Sequence, residues 1–358
     1  MDRSRSSKSN VDAKEVKEAI REKKVVPERK KQLLPTGSTL LNLALSDAYN
    51  GGIVPGSLSN IVGDSFAGKT LILWTMFAEI ARHPHFKHYR LIYDESEASF
   101  YMNIDKLFGL SEGRVEVNTC SDTIQSFYQN VLRAINDGRP FIYGLDSLDG
   151  ISSLEEKERA GEIAEGKEAG GSYKIEKARW MSEIMRNIVD PLEKTDSAVI
   201  IISQTRDNIG ATFGEKKTRS GGRALRFYST YEYWLSVIGH EKIKNREIGA
   251  NIALSVKKNK YTGKRRSIDF PIYFSYGVDD LGSCVDFLVK EGAWTKSGSR
   301  ITTANDLFPD GQRKNIIQHI EENNLEDKLR EFVGVVWNSI EKSLDLERKP
   351  RYTTNDIF

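Results

Sequence analysis

"GDSFAGKT", Gly63–Thr70, is entered from the apolar run "SLSNIVG" (57–63) and leads into "TLILWTMFAEIAR" (70–82), whose apolar residues recur at helical spacing. The stretch fits G-x-x-x-x-G-K-[ST]. A glycine-rich turn between a strand and a helix lets backbone N–H groups curl around phosphate oxygens. The helix N-terminus adds its positive dipole end. Lys69 then offers a cation to the terminal phosphates, and Thr70 an oxygen ligand to Mg2+. Gly63, Asp64, Ser65, Phe66, Ala67, Gly68, Lys69 and Thr70, with Leu71 behind them, form the expected ATP cradle.

Outward from this turn the chain alternates strands with helices. "RLIYDE" (90–95), "FIYGLD" (141–146) and "AVIIIS" (198–203) read as strands, and "TIQSFYQNVLRAIND" (123–137) as a helix between two of them. Such alternation implies an α/β core, a mainly parallel sheet with helices on both faces. "YEYWLSVIG" (231–239), "ANIALSVKKN" (250–259) and "IDFPIYFSYG" (268–277) follow with few helices between them, which predicts an antiparallel extension of that sheet. The expected organisation is a charged N-terminal helical segment over 1–32, the core over 33–294, a small helical C-terminal domain over 295–345 and a tail over 346–358.

A phosphate-binding turn needs an acid on a neighbouring strand to hold the magnesium's water shell, and "FIYGLDS" offers Asp146. Hydrolysis also needs a carboxylate that orients or deprotonates water. "LIYDESEASF" supplies Asp94, Glu95 and Glu97. Strand alternation puts Asp94 on one face and Glu95 and Glu97 on the other, without separating the last two.

The bulk properties bound the rest. In 358 residues the formal net charge is only +2, but the sign is unevenly spread. The N-terminus, the stretch 206–223 and "KKNKYTGKRR" (257–266) are basic, whereas "LEEKERAGEIAEGKE" (154–168) is acidic. Cys120 and Cys284 lie far apart without a CxxC partner, and read as free buried thiols in a reducing compartment. No apolar run approaches the roughly 18–20 residues that span a bilayer, and the N-terminus lacks the apolar centre of a secretory signal. The expected location is the cytoplasm, of a host cell if the chain is phage-encoded.

With these pieces in place, the chain resembles the RecA family of DNA-dependent ATPase recombinases, and especially its phage-type (UvsX-like) members. The resemblance runs from "PTGSTLLNLALS" (35–46) and "GGIVPG" (51–56) through "YDESEA" (93–98) to "EGAW" (291–294). It implies a RecA-like ATPase core using ATP and Mg2+. Matching the family's Asp-x-Glu with "ESE" selects Glu97 as the catalytic acid. "SQTRDNIGATFGEKKTRSGGRALRFYST" (203–230) is the most specific match. It implies that Gln204 senses the γ-phosphate and that the following loop, called L2 in the family, contacts single-stranded DNA. "VKKNK" (256–260) implies that Lys258 and Lys260 reach the ATP of a neighbouring subunit.

Such a loop has a physical rationale. Binding a strand without reading its sequence calls for cations for phosphates, an apolar wedge for bases, and glycines that let the loop order on contact. Arg206, Asn208, Ile209, Gly210, Phe213, Lys216, Lys217, Arg219, Gly221, Gly222 and Arg223 supply that mixture. Two departures stand out. An acidic, glycine-punctuated segment occupies the place of the family's first DNA loop, leaving Lys174, Lys177 and Arg179 as its cations. Tyr101, the nearest match to an adenine-stacking tyrosine, is spaced differently from the "KLFG" (106–109) that follows.

The expected activity is ATP-dependent homologous pairing and strand exchange by a helical filament. The expected partners are single- and double-stranded DNA, further copies of the chain, and single-strand-binding and loader proteins. The alternatives are a DNA-dependent ATPase without strand exchange, such as a ring translocase or recombination accessory, and a nucleotide-gated DNA-binding protein with little turnover.

Overall fold

The computed structural model describes residues 31–97, 102–166, 173–207 and 217–348. The chain divides into two compact units, Glu28–Ser283 and, among the described residues, 284–348.

In chain order the larger unit contains α1 (Thr39–Ser46), β1 (Leu58–Gly63), α2 (Lys69–Arg82), β2 (Arg90–Glu95), α3 (Ile104–Phe108), β3 (Glu116–Thr119), α4 (Ile124–Asn136) and β4 (Phe141–Asp146). It continues with α5 (Leu154–Ala164), α6 (Tyr173–Lys194), β5 (Ala198–Asp207), β6 (Lys217–Arg219), α7 (Gly222–Tyr228), β7 (Tyr231–Ile243), β8 (Arg246–Asn259), β9 (Ser267–Tyr273) and β10 (Gly277–Val278). The sheet runs β10-β9-β8-β7-β1-β5-β4-β2-β3, with β6 folded back on β5. From β7 to β3 every pairing is parallel, and from β7 to β10 every pairing is antiparallel. This is the expected α/β architecture with its antiparallel extension.

β1 and β4 are buried at every position, which is why they read as unbroken apolar runs rather than alternating ones. One face of the sheet packs against α4 and α6 through Phe127, Val131, Met181, Ile184 and Ile188 meeting Tyr143, Leu145, Val199 and Ile201. On α2, Ile72, Leu73, Trp74, Phe77 and Ile80 are buried. A Cβ at Gly144 would lie 2.6 Å from Leu73 Cδ2, so the glycine lets α2 sit close to the strand.

Two local structures differ from the sequence expectation. The acidic run is not all loop, because its first part is α5, capped by Ser153, whose hydroxyl accepts the Glu156 N–H while Glu156 returns a bond. Trp180 Nε1 and Gln125 Nε2 hold Glu155, which pins the helix to α6 and α4. The sheet extension is also longer than expected. β7 and β8 pair out to Ile243 and Arg246 across a turn in which Lys244 and Asn245 both have positive φ.

The smaller unit begins within α8 (Asp280–Lys290) and holds the antiparallel sheet β11 (Thr295–Ser297), β12 (Arg300–Thr302) and β13 (Gly311–Gln312), then α9 (Arg313–Glu322) and α10 (Glu326–Ser343). Its core is aromatic: Trp294 lies 5.6 Å from Phe308 and 6.3 Å from Phe332, and Phe287 lies 5.8 Å from Trp337 between ring centroids. Neither cysteine is in a disulfide. Cys284 is buried as expected, but Cys120 is exposed because it follows the end of an edge strand. Among the described residues no helix is long and apolar enough to cross a membrane.

Candidate nucleotide site

The turn after β1 is shaped by its two glycines. A Cβ on Gly63 would meet the Leu235 carbonyl oxygen at 2.9 Å, and Gly68 has φ +82° with Ile272 Cδ1 at 2.5 Å from a Cβ position. Only a residue without a side chain fits either place without strain. Ala67 is buried, whereas Asp64, Ser65 and Phe66 face outward, Phe66 being 98 % exposed with φ +62°. Lys69 folds back into the turn, its Nζ donating to the carbonyls of Gly63 (2.9 Å) and Asp64 (2.7 Å). Burial pushes its pKa down, while Asp146, Glu97, Asp149 and Asp64 pull it back up.

Thr70 Oγ1 donates to Asp146 Oδ2 at 2.6 Å, and Tyr93 OH to the same oxygen at 3.0 Å. Asp146 is 9 % exposed, and burial raises its pKa against those two hydrogen bonds. Thr70 and Asp146 therefore bring hard oxygen donors together, the ligand type that suits Mg2+. The acids after β2 separate clearly. Asp94 is buried and accepts from Ser121 N (2.7 Å), Ser121 Oγ (2.5 Å) and Tyr143 OH, a structural set of bonds. Glu97 Oε1 accepts from Ser147 Oγ at 2.6 Å and Gln204 Nε2 at 3.2 Å. Glu95 Oε1 instead accepts the Glu97 backbone N–H at 2.9 Å.

Gln204 lies opposite Gly63 in the β1–β5 pairing, so the strand that leaves toward 208–216 passes beside the phosphate turn. Thr205 Oγ1 donates to Asp64 Oδ1 of that turn. β6 returns antiparallel, with Thr205 opposite Arg219 and Asp207 opposite Lys217.

The RecA N-terminal domain family matches residues 135–279, which includes β4 with Asp146, β5 with Gln204 and β8 with Lys258. Protein RecA of Aquifex aeolicus (strain VF5) is 26% identical over 346 residues, covering 95% of either chain. Protein RecA of Thermus thermophilus is 29% identical over 293 residues, 81% of each. Protein RecA of Rickettsia massiliae (strain Mtu5) is 28% identical over 314 residues, 86% of each. Over these spans the chain is similar to the RecA family.

Of the remaining residues singled out by the RecA-family resemblance, Tyr101, Asn208, Ile209, Gly210, Phe213 and Lys216 lie outside the described residues. Lys217 opens β6, Lys174 lies in the first turn of α6, and Gly221, at φ +83°, precedes Gly222 at the start of α7. Arg223 and Arg179 are exposed. Lys177 is turned inward, donating to the carbonyls of Leu148 (2.9 Å) and Ile151, and burial lowers its pKa. Arg206 is half-exposed and paired with Asp149 at 2.9 Å.

Arg219 is also turned inward. Its side chain is 6% exposed and pairs at 2.7 Å with Glu232, itself 2% exposed, at the start of β7. Removing one member of a buried pair leaves the other charge uncompensated. Arg219→Ala is expected to lower unfolding free energy by about 3–5 kcal/mol in urea titration. Loss of Lys216 and Lys217, by contrast, is expected to flatten the salt dependence of single-strand binding by roughly 0.7 per contact. An Arg219→Ala variant of native stability with a flattened salt slope would reverse that assignment.

Lys258 and Lys260 stand away from the phosphate turn. Lys258 lies opposite Glu232, and Tyr231 opposite Ser59, so both lysines sit level with the start of β1 while the turn follows its end. Lys258 Nζ donates to the carbonyls of Arg226 and Phe227, and Lys260 Nζ to that of Tyr228, at the C-terminal end of α7. Burial and the neighbouring Lys260 lower the Lys258 pKa to about 8.

Asp149, Glu232 and Ser147 escaped the sequence reading. Asp149 and Ser147 stood only a few residues from strand-end residues already singled out, and Glu232 is an acid inside an otherwise apolar strand, which was an available signal.

Proposed function

We propose that this chain is an ATP-dependent recombinase. It would assemble head to tail on single-stranded DNA, hydrolyse ATP with Mg2+, and pair the held strand with duplex DNA for exchange in recombination and repair. One observation carries the reading: Gln204 is at once a neighbour of Gly63 in the sheet, a donor to Glu97, and a residue of the strand that leads toward 208–216. A single residue that touches the catalytic acid and begins a basic, glycine-rich loop couples nucleotide state to DNA affinity.

In this reading Lys69 and the turn's N–H groups bind the phosphates. Thr70 and Asp146 would hold Mg2+, which would supply charge neutralisation at the phosphates. Glu97 takes the proton of the attacking water, and Gln204 reports whether the γ-phosphate is present. The expected setting is the cytoplasm, with single-strand-binding and loader proteins as accessory partners.

The test is steady-state ATP hydrolysis with and without single-stranded DNA across a range of protein concentrations. DNA stimulation that rises cooperatively with protein supports an assembling, DNA-dependent ATPase. DNA-independent hydrolysis, or none, would mean that the basic 206–223 stretch is not wired to the ATP site.

A further inference from the structure

We propose that Asp149 is a positioning residue that clasps Arg206 and Ser220, on either side of residues 208–216, to the main chain of Gln204, and so sets how strongly nucleotide state is felt at the DNA. The proposal rests on the recombinase reading above. Asp149 lies in the turn between β4 and α5, more than fifty residues before any group it holds. Its Oδ2 accepts the backbone N–H of Gln204 at 2.7 Å and the hydroxyl of Ser220 at 2.6 Å. Its Oδ1 accepts from Arg206 at 2.9 Å. One carboxylate thus binds two residues ahead of the 208–216 stretch and one behind it.

The clasp is sheltered and stiff. The Asp149 side chain is 11% exposed, so its bonds are not readily exchanged for bonds to water. Its turn is fixed to the sheet by the Leu148 N–H donating to the Ile202 carbonyl at 2.9 Å, and to α6 by Lys177 donating to Leu148 and Ile151. The turn also carries Ser147, whose hydroxyl reaches Glu97. Gln204 is therefore fixed at its backbone by Asp149, while its side-chain amide is left to choose between Glu97 and a phosphate. When the amide changes partner, the displacement is transmitted to Ser220 and Arg206 through the shared carboxylate.

Arg206 is the exposed member of the set, its side chain 55% accessible. A DNA phosphate can draw its guanidinium from Asp149 while the Gln204 and Ser220 bonds stay in place. The carboxylate would thereby feel DNA from one side and the nucleotide from the other.

The experiment measures single-stranded DNA affinity with a non-hydrolysable ATP analogue and with ADP, together with the affinity for each nucleotide, in the wild type, Asp149→Ala and Asp149→Asn. The ratio of the two DNA affinities is expected to shrink at least about tenfold in Asp149→Ala, while nucleotide affinity moves less than about threefold. Ser220→Ala, which removes one of the bonds, is expected to give an intermediate ratio. A merely structural residue would weaken DNA binding alike in both states and leave the ratio untouched, and that result overturns the proposal. Should Asp149→Ala fail to fold by thermal melting, the isosteric Asp149→Asn is judged by the same ratio. A wild type with equal DNA affinity in both states would overturn the recombinase reading and the clasp with it. A large wild-type ratio that survives in the variants overturns the clasp alone.

Discussion

Glu97→Gln is expected to retain ATP and single-stranded DNA binding while its turnover falls on the order of 10²–10⁴-fold, the usual contribution of a positioned general base. The substitution keeps the side chain's length and an oxygen able to accept from Ser147 and Gln204, which lie at 2.6 and 3.2 Å. What it removes is the basicity needed to draw a proton from water. Glu95→Gln serves as the control. Glu95 is occupied by the backbone N–H two residues on, a bond that glutamine can keep, so Glu95→Gln should slow turnover far less. Single-turnover hydrolysis of both variants with DNA present decides the matter. If Glu95→Gln stops turnover and Glu97→Gln does not, the catalytic acid has been placed two residues too late.

The second large effect concerns Lys258 and Lys260. Along β1 the distance from Asn60, level with Lys258, to Gly63 is about 10 Å at ~3.3 Å per residue, and Lys260 lies two residues further off. Both ammonium groups also point at the end of α7. In the proposed filament neither would serve the phosphate turn of its own protomer, and a second copy stacked head to tail would bring them to it. Lys258→Ala/Lys260→Ala is expected to lose DNA-stimulated hydrolysis by roughly 10³-fold or more, the scale of a cation supplied in trans at a phosphoryl group.

Mixing that variant with Glu97→Gln gives a sharper readout. Neither is active alone, yet in an equal mixture about a quarter of head-to-tail interfaces pair an intact Glu97 with intact lysines. Hydrolysis should return to that fraction. No recovery in the mixture would mean that the lysines act within their own protomer or not at all.

Much of the site was legible because its chemistry is local. Gly63–Thr70 fixes its own geometry by steric demand, and β2 and β4 end where their apolar runs end, which delivers Asp146 beside Thr70. Glu97 and Glu95 were not separable by strand alternation, since they share a face; family matching chose one, and the contacts of Ser147 and Gln204 give a physical reason for it. The fate of Arg219 was hidden. A basic residue in a basic, glycine-rich stretch looks solvated, and only the β1–β7 pairing brings Glu232 within reach. Asp149 was hidden for the same reason, because its partners arrive from β5 and from the turn after β6. The outer β7–β8 hairpin carries polar residues on both faces and so lacks the alternation that marks a half-buried strand. The helix α5 could have been anticipated, since Ser153 and Glu156 are spaced as a capping box.

In the proposed filament, the offset between the lysines and the phosphate turn would also make the stack of protomers directional. At one terminus the last phosphate turn has no neighbour to lend it lysines, and at the other the last lysines have no ATP to meet. The unaided terminal ATP should outlive those in the interior, so nucleotide turnover would age a filament unevenly from one tip to the other. Growth and loss of subunits would then differ between the tips without any capping protein to tell them apart.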